Sequence, residues 1–330
     1  MNITQYRKQT RSLELASSVD NIAKEQLNQY NYNDSINNNN NLEDNIPYIN
    51  IGTHNVRGFH NRGKQRIFMD AYKEYNLDII GITETKLPSK QSKNVLIDNK
   101  YYKSWWTGLP DNNYTGGVGI AIKKGLHQYV HKVTSKLGRL IIIDLKFRGK
   151  INLKLINIYV NSNDTEKIER DNLLKELNKS ITEANINKSH LIIMGDLNAD
   201  AEKYDSLNKT ATKGKYKIIQ LLRDQGLYDT QKLTDVNLNY MWKKNNETKC
   251  RIDYIWVNDY MIEDLIITKV ISCDELTTDH NILAMTINSS NVFGRRAIAT
   301  EKRKNIKRDI YTLDKMTDDH WEKFRREWTN

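Results

Sequence analysis

HLIIMGDLNAD, residues 190–200, begins as an apolar run and ends in a carboxylate, an amide and a second carboxylate. The run Leu191–Met194 has strand length, and Asp196 and Asn198 fall where such a strand gives way to a loop. Upstream, Ile168, Leu174, Leu177 and Ile181 share one side of a helix expected over 164–186. The same design recurs along the chain. YINIGTH (48–54) and LDIIGIT (77–83) read as strands, with a helix between them carried by Ile67, Phe68, Ala71, Tyr72 and Tyr75. GGVGIAI (116–122), RLIIIDLKF (139–147) and INLKLINIYV (151–160) follow, the last two joined by the short turn 148–150. A helix over 215–225, strands near Tyr240–Trp242, RIDYIWV (251–257) and IITKVIS (266–272), and a last strand NILAMTI (281–287) complete the pattern. Many strands, few helices and mixed connections predict an α+β fold of two packed sheets flanked by helices.

That pattern occupies residues 47–288 of 330. Residues 1–46 contain an Asn-rich stretch, read as a disordered or weakly helical tail, because such a composition buries too little apolar surface to order itself. Residues 289–330 carry seven basic residues and one acidic between Arg295 and Arg308, which suits either a nucleic-acid contact or a solvated linker. A short amphipathic helix with Trp321, Phe324 and Trp328 is expected after it. Apolar residues are 38% and charged residues 28% of the chain, and no apolar run approaches the roughly 20 residues that cross a bilayer, so no membrane partner is expected. The formal charge is +10, of which the region 47–288 holds +8, a bias that suits a polyanionic partner. Cys250 and Cys273 are too few for a disulfide scaffold, and the first residues are polar, so an intracellular location is expected.

The informative polar residues sit at five strand ends, where a scaffold holds side chains rigidly yet leaves them open. They are His54 and Asn55; Glu84; Tyr159; Asp196 and Asn198; and Asp279 with His280. Phosphodiester hydrolysis requires a cation on hard oxygen ligands, an activated water and donors for developing charge. Glu84 suits a Mg2+ ligand. An extended Asp196-Leu197-Asn198 would put Asp196 and Asn198 on one face, one to take a proton from water and one to orient it. His280 suits donation to a phosphoryl oxygen, with Asp253 in RIDYIW holding its other ring nitrogen, and the Tyr159 phenol adds a donor. Singly, each carboxylate reads as a surface or capping group; five strand ends bearing such polar groups together point to chemistry.

In order and spelling, HNVRG (54–58), ITETKL (82–87), GGVGI (116–120), NIYV (157–160), GDLNAD (195–200), RIDYIW (251–256) and TDHN (278–281) resemble the endonuclease/exonuclease/phosphatase (DNase I-like) superfamily, and within it the exonuclease III-like and LINE-type retrotransposon endonucleases. The resemblance spans roughly 47–288. It implies a four-layered αββα sandwich and metal-dependent cleavage of a P–O bond by water, with Mg2+ or Mn2+ as cofactor. It makes Glu84 the principal metal ligand, helped by Asn55, and gives Asp279 a part with metal or water. Tyr159 would contact the scissile phosphate. Asp196 would be general base or water-positioner beside Asn198, and His280, supported by Asp253, would stabilise the phosphorane.

Two positions depart from the usual pattern. The proline often found two residues after the tyrosine is replaced by Asn161, and Arg57 stands where repair enzymes often carry an acid, which favours the retroelement type. The expected activity is a DNA endonuclease leaving a 3′-hydroxyl, with a reverse-transcriptase region expected outside this chain and a nuclear location for a eukaryotic retroelement protein. A phosphatase or phospholipase of the same superfamily and a decayed, non-catalytic fragment are the alternatives. His54 reads as a packing residue, Trp105 and Trp106 as packing rather than base-stacking groups, Gly116 and Gly117 as a closely packed strand entry, and Asp200 as a turn residue.

Overall fold

Along Tyr48–Asn55 the apolar side chains Ile49 and Ile51 share one face, and this alternation, repeated strand after strand, sets the architecture. The computed structural model describes residues 48–108, 116–147, 151–161, 167–206, 214–234, 240, 242–244, 248–289, 317, 319, 321 and 322. One six-stranded sheet runs, in spatial order, β13 (Leu265–Ile271), β14 (Ile282–Asn288), β1 (Tyr48–Asn55), β2 (Ile79–Thr83), β4 (Val118–Lys123) and β3 (Tyr102–Trp106). The other runs β5 (Val130–Lys136), β6 (Leu140–Lys146), β7 (Asn152–Tyr159), β8 (His190–Asp196), β12 (Asp253–Val257) and β9 (Tyr228–Asp229). A hairpin of β10 (Trp242–Lys244) and β11 (Thr248–Cys250) forms a separate two-stranded sheet, joined to His280 by a single bridge at Trp242.

Each sheet contains one parallel pair, and each pair is bridged by a long helix. β1 and β2 are joined through α1 (Arg62–Glu74), β7 and β8 through α2 (Lys167–Ile186). Asn61 starts α1, its side-chain oxygen accepting from the amides of Gly63 (2.7 Å) and Lys64 (3.1 Å). Ile49, Ile51, Ile141, Leu155, Ile192 and Ile255 pack between the sheets. Ile80, Ile82 and Ala284 face away from them, against Phe68, Met69 and Tyr72 of α1. Ile156, Ile193 and Tyr254 do the same on the other side, against Leu177 and Ile181 of α2 and Ile219 and Leu222 of α3 (Lys217–Asp224). Helix, sheet, sheet and helix form the expected αββα sandwich, an α+β fold.

Asn157 fastens the two sheets together. From β7 its amide donates across the interface to the carbonyls of Ile82 (2.9 Å) on β2 and Gly119 (2.8 Å) on β4. Gly81 opposite leaves room for it, since a Cβ there would lie 2.9 Å from the Asn157 amide carbon and from the Met194 sulfur.

The structure adds strands that have little apolar periodicity to announce them. β5 is an exposed, basic edge strand, β3 is a half-buried edge strand of the other sheet, and β9 has two residues. The strand expected around Tyr240–Trp242 starts at Trp242. The tail 1–46, the turn 148–150 and the basic run 295–308 lie outside the described residues, as do Phe324 and Trp328. Among the described residues no helix is long and apolar enough to cross a membrane.

Candidate active site

Parity places the site. Tyr159 shares a face of β7 with Leu153, Leu155 and Asn157; Asp196 shares one of β8 with Ile192 and Met194; Asp253 shares one of β12 with Ile255 and Val257. All three therefore point between the sheets, at the end where apolar residues give out. They lie at one level, because Asp196 pairs in register with Tyr159 on one side and Asp253 on the other. Across the interface β1 ends in Asn55, and β2 leads into Glu84.

The contacts tie these groups into one network. The Asn55 amide donates to Asp196 Oδ2 (2.8 Å) and to Glu84 Oε2 (3.0 Å), so it links the carboxylates of the two sheets. Asn55 Oδ1 accepts from the Arg57 amide at 3.0 Å. Lys86 pairs with the other Glu84 oxygen at 2.7 Å. His280 and Asp253 share a 2.7 Å hydrogen bond at Nδ1, both nearly inaccessible to solvent. Burial alone would lower the imidazole's pKa. The charge and hydrogen bond of Asp253, then Asp196 and Asp279, outweigh it and push His280 up to about 9. The ring is therefore a cation at neutral pH, with Nε2 facing the site as a donor.

Asp196 is buried, and burial followed by repulsion from Asp253 holds it well above the ordinary carboxylate range, against His280, the Asn198 amide and Asn55. Burial, then Asp196 and Glu84, also raises Tyr159, so the phenol keeps its proton. The Arg139 guanidinium lies 5.6 Å from the Tyr159 ring centre.

One expected geometry is corrected. Asp196-Leu197-Asn198 is not extended, because β8 stops at Asp196 and Asn198 turns at φ +48°. The turn brings the Asn198 amide onto Asp196 Oδ1 (2.8 Å), while its side chain donates to the Val160 carbonyl (2.7 Å) and reaches the Tyr159 phenol. Asn198 is thus beside Asp196 because the chain folds back, not because the two share a strand face. Asp279 stands to one side, with Oδ2 accepting from Arg57 (2.7 Å) and from the Trp242 indole (2.9 Å), and Oδ1 lies 3.8 Å from His280 Nε2.

Hard-oxygen donors here fit a divalent cation. Ligand atoms of Asp196, Asp253 and His280 all lie within 4.8 Å of one another, and the buried Oδ1 atoms of Asp253 and Asp279 have no hydrogen-bond partner among the described residues. With His280 protonated and bonded to Asp253, the carboxylate oxygens rather than the imidazole suit such an ion. Glu84 stands one amide away, through Asn55.

Most neighbouring residues take the places expected of them. His54 is fully buried, stacks on Phe68 and bonds the Tyr72 hydroxyl at 2.8 Å. Asp200, expected in a turn, instead caps the helix Ala201–Ser206 through the amides of Glu202 and Lys203. Gly116 and Gly117 accept from the amides of Lys86 and Thr85, both glycines at positive φ. The Thr278 hydroxyl donates to the Asn55 carbonyl at 2.8 Å, joining the loops after β1 and before β14. Trp242 gave no sequence signal, since its partner Asp279 is 37 residues away. Asn157 did offer one, sharing strand parity with Tyr159.

Solved structures share this fold. An AP endonuclease from Leishmania major superposes with a TM-score of 0.61 at 18% identity, covering 74% of this chain and 89% of that one. The APE2 catalytic domain from Xenopus laevis gives 0.60 at 17% identity, covering 73% and 92%. A 3′ phosphatase from Neisseria bound to a product DNA hairpin gives 0.57 at 18% identity, covering 72% and 98%. No curated protein matches the chain in sequence. Residues 52–280 match the Endonuclease/Exonuclease/phosphatase family, and with the site strung along that span the chain belongs to this family.

Proposed function

We propose that this chain is a Mg2+-dependent DNA endonuclease of retrotransposon type that hydrolyses the backbone to leave a 3′-hydroxyl. The observation that carries the reading is a single connected site: a charged His280–Asp253 pair, Asp196 and Tyr159 at one level, and Glu84 tied in through Asn55. His280 Nε2 and the Tyr159 phenol are donors for charge developing on the phosphoryl oxygens. Asp196 takes the proton of the attacking water, and Asn198 holds the Asp196 carboxylate through its amide. Glu84, helped by Asn55, Asp196 and Asp279, would hold a divalent ion, which when bound would supply Lewis-acid stabilisation of phosphoryl charge.

DNA as substrate is supported by the excess of basic residues and by relatives of the same fold. Neighbours from Leishmania major and Archaeoglobus fulgidus are AP endonucleases, and the Neisseria enzyme carries a DNA product. Arg57, in place of an acid beside Asn55, supports the retroelement branch.

Incubation of supercoiled plasmid with Mg2+ tests the proposal. Nicked circles are expected from the wild type, none in EDTA, and none from Asp196→Ala or His280→Ala. Nicks that a DNA polymerase extends directly carry a 3′-hydroxyl. Equal nicking by the variants would refute the assigned site, and phosphate release from 3′-phosphorylated oligonucleotides without nicking would make the chain a phosphatase.

A further inference from the structure

Three cations crowd the rim of the acidic site. Arg57 pairs with Asp279 at 2.7 Å, Lys86 with Glu84 at 2.7 Å, and the Lys64 ammonium donates to the Val56 (2.7 Å) and Thr277 (3.0 Å) carbonyls. They lie close enough together that burial, then Lys86 and Arg57, lower the pKa of Lys64. Such crowding is relieved when an anion joins it.

The three differ in how readily they can turn toward a ligand. Lys64 is fixed on two main-chain carbonyls that its departure would strand. Lys86 holds a Glu84 carboxylate that is 17% exposed and belongs to the acidic network. Arg57 is 54% exposed and its partner Asp279 28%, so their ion pair is screened by water and worth little. Asp279 Oδ2 also keeps the Trp242 indole when Arg57 leaves. Arg57 pivots from a fixed point, since its backbone sits at φ +47° with its amide on Asn55 Oδ1. Its guanidinium therefore swings about the edge of the site, and its planar fork suits two oxygens of one phosphate.

We propose that Arg57 is a substrate-binding residue that leaves Asp279 for a backbone phosphate flanking the scissile one. Asp279 is the resting partner that holds it beside the site until a polynucleotide arrives. The proposal rests on the reading of the site as acting on DNA, and it predicts that Arg57 counts in recognising a chain of phosphates rather than in the bond-breaking step. The released Asp279 keeps Trp242, and no proton or bond changes hands.

The test is binding of a fluorescent DNA duplex by wild type, Arg57→Gln and Arg57→Lys across a salt series in Ca2+, with Mg2+ kinetics alongside. A lost phosphate contact makes Arg57→Gln bind about tenfold more weakly. It also reduces the slope of log affinity against log salt by about one, while Arg57→Lys restores the slope. In Mg2+ the loss falls on KM. Unchanged affinity, weakened binding with an unchanged slope, or a fall confined to kcat would overturn the proposal, the last making Arg57 a support for Asp279. DNA binding with the expected slopes but no cleavage by the wild type would instead remove the nuclease reading and leave Arg57's role standing.

Discussion

His280 is where the chemistry of single residues is most exposed to test. Its charge depends on Asp253, a buried carboxylate whose removal leaves the imidazole without the acceptor that orients it. Asp253→Asn should lower kcat about 100-fold in the nicking assay while leaving the far-UV circular dichroism spectrum intact, and a change under threefold would make the pair merely structural. Glu84 differs in kind. It is bonded to Asn55 and Lys86 rather than to the dyad, so Glu84→Gln should raise the Mg2+ concentration needed for half-maximal rate. A fall in kcat at saturating Mg2+ with no shift in that concentration would sink its metal role. Both residues were legible as polar groups at strand ends. The turn at Asn198 was not, because only the local hydrogen bonds to Asp196 and Val160 show the chain leaving the strand.

At the scale of strands, the interface between the sheets is held by apolar packing with one polar staple. Asn157 gives both amide hydrogens to the opposite sheet, and Gly81 has no Cβ because that amide lies against it. Gly81→Ala should destabilise the fold by about 1–3 kcal/mol, read by urea unfolding, since the interior cannot give way to an added methyl without displacing Asn157 or Met194. Pairing it with Asn157→Ala should recover part of that loss; strict additivity of the two would show that the methyl clashes with something else. Near the same end, Arg251 is buried at the entry to β12 and bonded to Asp229 (2.6 Å) and Glu202 (2.9 Å), which anchors the strand that carries Asp253. The alternation of apolar residues was enough to find β1, β2, β7, β8 and β12. It missed the edge strands β3 and β5, whose exposed faces need no apolar partner.

Over the whole molecule, His54 makes stability depend on pH. Burial holds its pKa down near 3 in the fold, against about 6.5 in an unfolded chain, so below pH 6.5 the unfolded state binds the extra proton. The stability contributed by the neutral ring is complete above pH 6.5 and is lost as pH falls toward 3, by up to about 1.4 kcal/mol per pH unit. Asp196, whose pKa is raised in the fold, pulls the other way over pH 5–7, so His54→Gln should lower the urea midpoint at pH 7 relative to that at pH 5; an unchanged difference between the two would remove His54 from the pH dependence. The sequence alone determined the layered sandwich, the strand ends that bear the polar groups and the family, because periodicity and short ordered motifs are local properties of the chain. The tertiary structure decided which of those groups meet: Asn55 with both Glu84 and Asp196, Arg57 and Trp242 on one oxygen of Asp279, and Asn157 across the interface. Those contacts depend on how two sheets stack and on the register of β7, β8 and β12. Residues such as Arg57 and Asp279, 222 positions apart, share a site only once the cores on both faces of each sheet have closed.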